Sequence, residues 1–268
     1  MEDIQAILLG LIQGLTEFLP VSSSGHLILV PILFDFEDQG LAMDAILHLA
    51  TLLAIIIFFR TELWQLLAAL FDKQNQPDRH RVVWGIAAAT VPAGVLGLTL
   101  GDWIETNLRN PTFVGGNLIF WSLIFWWADR GASRTDGGEA ELTRLSFKQI
   151  LMIGCAQAVA LFPGTSRSGI TIAAGLFMSL SQPAAARFAF LLGTPAILAA
   201  GLHKTVSVVT SPEQTLLFTH GQMAVAFGIA FLSGYLAIKL LLAIVSRVGL
   251  MPFVIYRLIL GGILLVWY

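Results

Sequence analysis

Pro163-Gly164-Thr165-Ser166-Arg167-Ser168-Gly169 interrupts an apolar segment that runs from about 149 to 180. Proline disfavours helix at its own position and at the residue before it, so this segment is not one straight helix. Irregular backbone is not tolerated where it faces lipid, so the break is buried in protein or lines a wet cavity. Within it stands Arg167, a permanent cation among hydroxyls and glycines. An ionisable group at membrane depth marks a functional site with a partner, and the natural partner of this one is an anion.

The same device occurs earlier, where the apolar segment 4–34 is broken by Pro20 and Ser22-Ser23-Ser24-Gly25. Gly10, Gln13, Phe18, Ser24 and Gly25 recur 144 positions later as Gly154, Gln157, Phe162, Ser168 and Gly169. Thr51 recurs as Thr194, and Gly85-Ile86-Ala87 as Gly228-Ile229-Ala230, each 143 positions on. A preserved offset of this kind indicates duplication. The arm Ile4 to Leu19 gives roughly 24 Å of helix against a hydrocarbon core of about 30 Å, so each broken segment reads as a re-entrant helix-loop-helix hairpin.

The rest of the composition agrees with a membrane setting. Of 268 residues, 56% are hydrophobic and 12% charged, against roughly 25% charged in soluble proteins. Apolar runs at about 42–59, 82–100, 112–128, 184–203, 222–245 and 252–268 read as six transmembrane helices. The formal charge of -2 without a basic run argues against a nucleic-acid partner, and the single Cys155 excludes an intramolecular disulfide or a cysteine metal cluster. Glu2 and Asp3 at the start argue against a signal peptide.

With one hairpin and three spans in each half, the second half enters the membrane upside down relative to the first. The expected fold is an all-α integral membrane protein with an inverted-topology repeat, its two hairpins meeting near the midplane. It forms a single membrane domain over 1–268, with repeat 1 at about 1–128, a polar cytoplasmic linker at about 129–148 and repeat 2 at about 149–268. One face carries ten basic residues, Arg60, Lys73, Arg79, Arg81, Arg130, Arg134, Arg144, Lys148, Lys239 and Arg247, whereas the other carries Arg109 and Lys204. The first face is therefore read as cytoplasmic. Both termini and the first hairpin then open outward, to the periplasmic side.

Gln13 and Glu17 are four apart and share a helix face one turn before the Pro20 break. Glu17 is a candidate general base, metal ligand or counter-ion to Arg167. Ser22, Ser23, Ser24, Gly25 and His26 precede the apolar run Leu27 to Phe34, and Thr165, Ser166, Ser168 and Gly169 precede Ile170-Thr171. Serines ahead of a helix are ordinary N-caps, and one of the three is expected to be that. A helix N-terminus also favours anions through its free N–H groups and its dipole. Two such termini, an arginine suited to bidentate phosphate contacts, a histidine and a carboxylate make a phosphate-ester site. A serine nucleophile would pass its proton to His26 or Glu17.

His48 is expected to make a helix-end or interhelical hydrogen bond, and Arg187 and Arg257 to snorkel to the interface. A transporter would share the inverted repeat and bind its substrate at Arg167 and Glu17 without cleaving it.

Gln13-Gly14-Leu15-Thr16-Glu17 with Phe18-Leu19-Pro20-Val21-Ser22-Ser23-Ser24-Gly25-His26, together with Pro163 through Thr171, resembles the two signature blocks of the bacterial undecaprenyl-diphosphate phosphatase family, also called bacitracin-resistance proteins. The similarity extends to the ending Pro252-Phe253-Val254-Ile255-Tyr256-Arg257. The resemblance implies hydrolysis of undecaprenyl diphosphate to the monophosphate on the outer face of the bacterial inner membrane. It also implies a divalent cation, Mg2+ or Ca2+, and a homodimer. By position, Glu17 matches the essential glutamate and a metal ligand, Ser23 a proposed nucleophile, His26 the motif histidine and Arg167 the diphosphate-binding arginine. Ser166 and Thr171 belong to the second block. Gln13 stands where other members carry glutamate, so a scheme with two carboxylates does not transfer. The type-2 phosphatidic acid phosphatases, a second class of membrane lipid phosphatase, require a histidine where this chain has Ala173.

Overall fold

A computed structural model describes residues 2–135, 138–210 and 217–268; within the expected linker, Asp136 and Gly137 lie outside the described residues. The described residues form helices and no strand. The first broken segment gives α1 (Glu2–Phe18) and α2 (Ser23–Phe34), and the second gives α8 (Phe147–Val159) and α9 (Arg167–Phe177).

All six expected spans appear as helices: α3 (Gly40–Phe58), α5 (Pro77–Leu108), α6 (Pro111–Asp129), α10 (Gln182–Thr210), α11 (His220–Val248) and α12 (Met251–Trp267). Four of them, α3, α5, α10 and α11, are long and apolar enough to cross a membrane. Short α4 (Arg60–Ala69) and α7 (Glu139–Arg144) complete the set. The 32-residue α5 outruns its hydrophobic stretch at both ends. Charged residues such as Asp78, Arg79, Arg81 and Glu105 end an apolar run without ending a helix.

The breaks are built alike. Ser22 (φ 78°) and Ser166 (φ 74°) both adopt left-handed backbone, and so do Asp35 (φ 53°) and Ser179 (φ 70°). Each pair is 144 positions apart, and among the described residues no other non-glycine position has a positive φ. Left-handed backbone costs a non-glycine residue roughly 1–2 kcal/mol, so the same turn is held twice against the same penalty. Ser22 Oγ accepts from Gly25 N–H at 3.3 Å, and Ser166 Oγ accepts from Gly169 N–H at 3.2 Å. These serines are the N-caps of α2 and α9.

The two ends of each broken pair also lie near one another. Glu2 and Asp3 at the start of α1, and Glu37 just beyond α2, line one hollow with Leu217, Phe218 and Gln222. Gln149 at the start of α8 donates to the Met178 carbonyl at the end of α9, at 3.2 Å.

Packing follows a common scheme, with α1 against α11 and α8 against α5. A side chain at Gly10 would meet the Ala226 carbonyl, and one at Gly154 the Ala89 carbonyl. Small residues permit this approach, and lipid offers helices no hydrophobic gain, so close backbone contact is what joins them. These contacts make Ala89 and Ala226 the equivalent positions. The sequence correspondence of Gly85 with Gly228 is not the packing one, because Gly85 lies against Ile150 whereas Gly228 has nothing within 4 Å.

Around the breaks, Phe18, Phe59 and Phe190 form a buried aromatic cluster, with centroids 5.7 Å apart for Phe18–Phe190 and 5.6 Å for Phe59–Phe190. Helix α9 is buried along most of its length, whereas α2 exposes Ile32, Leu33 and Phe34.

Candidate active site

The two loops touch. Ser168 Oγ donates to the Leu19 carbonyl at 3.2 Å, and a side chain at Gly169 would meet Phe125 and Pro20. Ser23 and Arg167, 144 positions apart, are the first residues of α2 and α9. One broken segment thus supplies a hydroxyl and the other a cation, each at the start of the helix after its break.

Between them lies Glu17, whose carboxylate is buried. Its Oε1 accepts from Arg167 Nη2 at 3.0 Å; its Oε2 accepts from Ser23 Oγ at 2.7 Å and from Gln13 Nε2 at 3.2 Å. The ion pair is largely shielded, with the Glu17 side chain 6% and the Arg167 side chain 15% exposed. Two groups in the cluster are left without a protein partner: Arg167 Nη1, a donor, and Gln13 Oε1, an acceptor. Buried polar atoms of this kind call for an explanation.

His26 is arranged differently. Its Nδ1 lies 2.8 Å from the Ser22 carbonyl oxygen and its Nε2 2.6 Å from the Tyr256 hydroxyl. Ser23 Oγ donates its hydrogen bond to Glu17, so of the two acceptors considered for its proton, the carboxylate is the one in contact with it.

The other residues of the signature blocks shape the loops. Asn117 of α6 donates to the Pro163 carbonyl and to Thr165 Oγ1, both at 2.8 Å. Ser166 Oγ and Ser168 Oγ are 3.3 Å apart, Ser24 Oγ is 3.3 Å from Ser22 Oγ, and Thr171 Oγ1 donates back to the Arg167 carbonyl at 2.7 Å. Gly25 and Gly169 give their amides to the caps.

Arg257 corrects an expectation. It does not snorkel; it is completely buried and donates to Ser122 Oγ at 3.0 Å and to the carbonyls of Gly164 at 2.9 Å, Leu118 at 3.3 Å and Pro20 at 3.5 Å. It also lies over the Phe125 ring, 4.8 Å from its centroid. The chain breaks leave carbonyls without helical partners, and one guanidinium with five N–H groups satisfies carbonyls from both loops. Arg187 pairs with Glu62 at 3.7 Å. His48 Nδ1 donates to the Asp44 carbonyl one turn back, at 2.7 Å, an intrahelical bond.

Sequence reasoning passed over three features. Asp44 in α3 is buried against Lys204 of α10 at 2.7 Å; a charge inside one apolar run and another just past the end of a second were the available signal. Tyr256 reaches His26 from the opposite end of the chain. The third is Gly193 of α10, because a side chain there would overlap Arg167 Nη1.

Gly193→Ala is accordingly expected to push the guanidinium off Glu17 and lower kcat/KM roughly tenfold or more, since misplacements of about 1 Å carry such costs. The melting temperature in detergent should stay near wild type. Steady-state kinetics check this: the alanine should cost nothing further in an Arg167→Ala background if it acts through that side chain.

Four apolar helices long enough to cross a membrane, and a buried carboxylate–guanidinium pair at two abutting helix starts, define a multi-pass helical membrane protein with a polar cluster at its broken helices. Residues 6–263 match the family described as bacitracin resistance protein BacA. The chain belongs to that family. It is similar to undecaprenyl-diphosphatase 2 of Stutzerimonas stutzeri strain A1501, 44% identical with 100% of this chain and 99% of the relative covered. It is also similar to undecaprenyl-diphosphatase of Alteromonas mediterranea (44%, 100% and 99% covered) and to undecaprenyl-diphosphatase 1 of Pseudoalteromonas translucida strain TAC 125 (42%, 100% and 99% covered).

Proposed function

We propose that this protein hydrolyses undecaprenyl diphosphate to undecaprenyl phosphate and inorganic phosphate, recycling the lipid carrier of cell-wall synthesis. The observation that carries the reading is the Glu17 carboxylate, shared between Arg167 and Ser23 at two abutting helix starts.

The diphosphate docks against the N–H groups of α2 and α9, and the free Arg167 Nη1 donates to a phosphoryl oxygen. As the anion draws Arg167 toward itself, Glu17 is released to accept a proton. Ser23 Oγ attacks the terminal phosphorus while its hydrogen passes to Glu17, and the bond from that phosphorus to the bridging oxygen breaks, so that the prenyl monophosphate leaves. Water then cleaves the phosphoserine and Ser23 recovers its proton. Charge neutralisation and positioning supply most of the rate in such transfers.

A divalent cation fits this donor set as a substrate-bridged ion. Among the described residues no group of three or more His, Cys, Asp or Glu side chains is placed to hold a metal, but magnesium is commonly held by one or two carboxylates and the substrate's own phosphates. Glu17 and the unpartnered Gln13 Oε1 would hold it. An ion held by them would supply positive charge against the diphosphate.

In this reading α1/α2 and α8/α9 are re-entrant hairpins of an inverted repeat, supported by the matched left-handed turns and by the nearness of the two ends of each pair. The excess of basic residues on one face supports an α1/α2 hairpin that opens to the periplasmic side of a bacterial inner membrane. The head group enters there, with the prenyl tail in lipid.

The test is phosphate release from a long-chain polyprenyl diphosphate by detergent-purified protein, with magnesium and with chelator. Metal-dependent release is expected. No release from well-folded protein would overturn the reading and favour a carrier that binds the lipid phosphate without cleaving it.

A further inference from the structure

His26 is gripped from two sides. A carbonyl oxygen only accepts, so the 2.8 Å contact of Nδ1 with the Ser22 carbonyl places a hydrogen on Nδ1. Nε2 is then the nitrogen at which the neutral ring exchanges a proton, and the Tyr256 hydroxyl already sits on it at 2.6 Å. The two rings are also parallel, 10° apart, with centroids separated by 5.8 Å. Tyr256 belongs to α12, 230 residues along the chain from His26, and is 44% exposed. A tyrosine that merely anchored a helix end would leave its hydroxyl to water or head groups. This one delivers it to the ring that follows the first loop.

The surroundings sharpen the role. The charged group next to this pair is Arg257, whose donors go to Ser122 and the loop carbonyls, while Glu17 and Arg167 are occupied with each other. Among the described residues, the Ser22 carbonyl fixes the Nδ1 side of the ring, and the Tyr256 hydroxyl and stacked face fix the Nε2 side. The geometry points to Tyr256 as a positioning residue of the reaction, which holds His26 as the Nδ1-protonated, neutral tautomer with Nε2 kept at the exposed side of the site for the incoming phosphoryl group. This rests on the phosphatase reading above.

Tyr256→Phe keeps the stacked ring and removes the hydroxyl; Tyr256→Leu removes both. With polyprenyl diphosphate as substrate, Tyr256→Phe is expected to lower kcat about tenfold with KM within about twofold, as loss of one oriented acid–base group does. Tyr256→Leu should fall further. In a His26→Ala background Tyr256→Phe should have no added effect, because a residue that acts through another loses its influence with it. Nitrogen NMR of histidine-labelled protein, with His26→Ala identifying the signal, reads the tautomer directly. It should report a hydrogen on Nδ1 in wild type and, in Tyr256→Phe, a displaced Nε2 signal, because the Ser22 carbonyl still holds the Nδ1 hydrogen while Nε2 has lost its hydroxyl partner.

Wild-type kcat in Tyr256→Phe, an undiminished effect in the His26→Ala background, or an unmoved His26 signal would each overturn the proposal. If wild type releases no phosphate while Tyr256→Phe still moves that signal, the phosphatase reading fails and the control of His26 by Tyr256 stands.

Discussion

Arg167→Ala is expected to lower turnover of the polyprenyl diphosphate by about two orders of magnitude or more, the usual scale for removing a charge-stabilising donor from a phosphoryl or oxyanion site. Among the described residues Arg167 is the cation paired with the Glu17 carboxylate, and its Nη1 is a buried donor without a partner. Loss of the side chain also strands Glu17, whose side chain is 6% exposed. Removing one partner of a buried pair costs about 3–5 kcal/mol, so the melting temperature should drop as well. Arg167→Ala with Glu17→Ala separates the two effects. The double variant should melt closer to wild type than Arg167→Ala alone while staying as inactive. Phosphate release and thermal melting in the same detergent decide it. More than about a third of wild-type turnover in Arg167→Ala would sink the mechanism, because it lies far from the hundredfold loss that charge stabilisation demands.

Glu17→Gln should be as damaging to catalysis and gentler on the fold. Glutamine keeps the size and an acceptor for Arg167 or Ser23, but it cannot take the Ser23 proton or carry charge toward a cation. Gln13, one turn earlier, cannot substitute, since an amide is no base. The expected loss is again about a hundredfold or more in kcat, with the protein still folded and inserted. Turnover measured across a magnesium titration checks the second role: where Glu17 holds the ion, the residual activity of the variant should respond less steeply to magnesium than wild type does.

Much of this site was legible because its elements carry local signals. A proline followed by serines and a glycine, twice, in sequence apolar enough for lipid, demands a break that is buried and capped, and both breaks are there with Ser22 and Ser166 as caps. Gln13 and Glu17 share a face at four-residue spacing, and their side chains do bond. Arg257 was misread for a comparable reason. A lone arginine near the start of an apolar run looks like an interface residue, and nothing local says that four acceptors from α6 and the two loops converge on it. The Gly85–Gly228 correspondence failed because identity in glycine-rich helices carries no register; contact with Ala89 and Ala226 does.

The sequence by itself determined the class of protein, the two broken segments and the caps at their breaks, because hydropathy, chain breakage and helix periodicity act within a dozen or so residues. Only the tertiary structure decided which acceptor Ser23 uses, that Arg167 pairs with Glu17 in space, that Gly193 makes room for that arginine, and that Tyr256 holds His26. Each of those contacts joins segments far apart in the chain. Their distances follow from how closely helices approach and which way their loops turn, quantities that packing sets for the bundle as a whole.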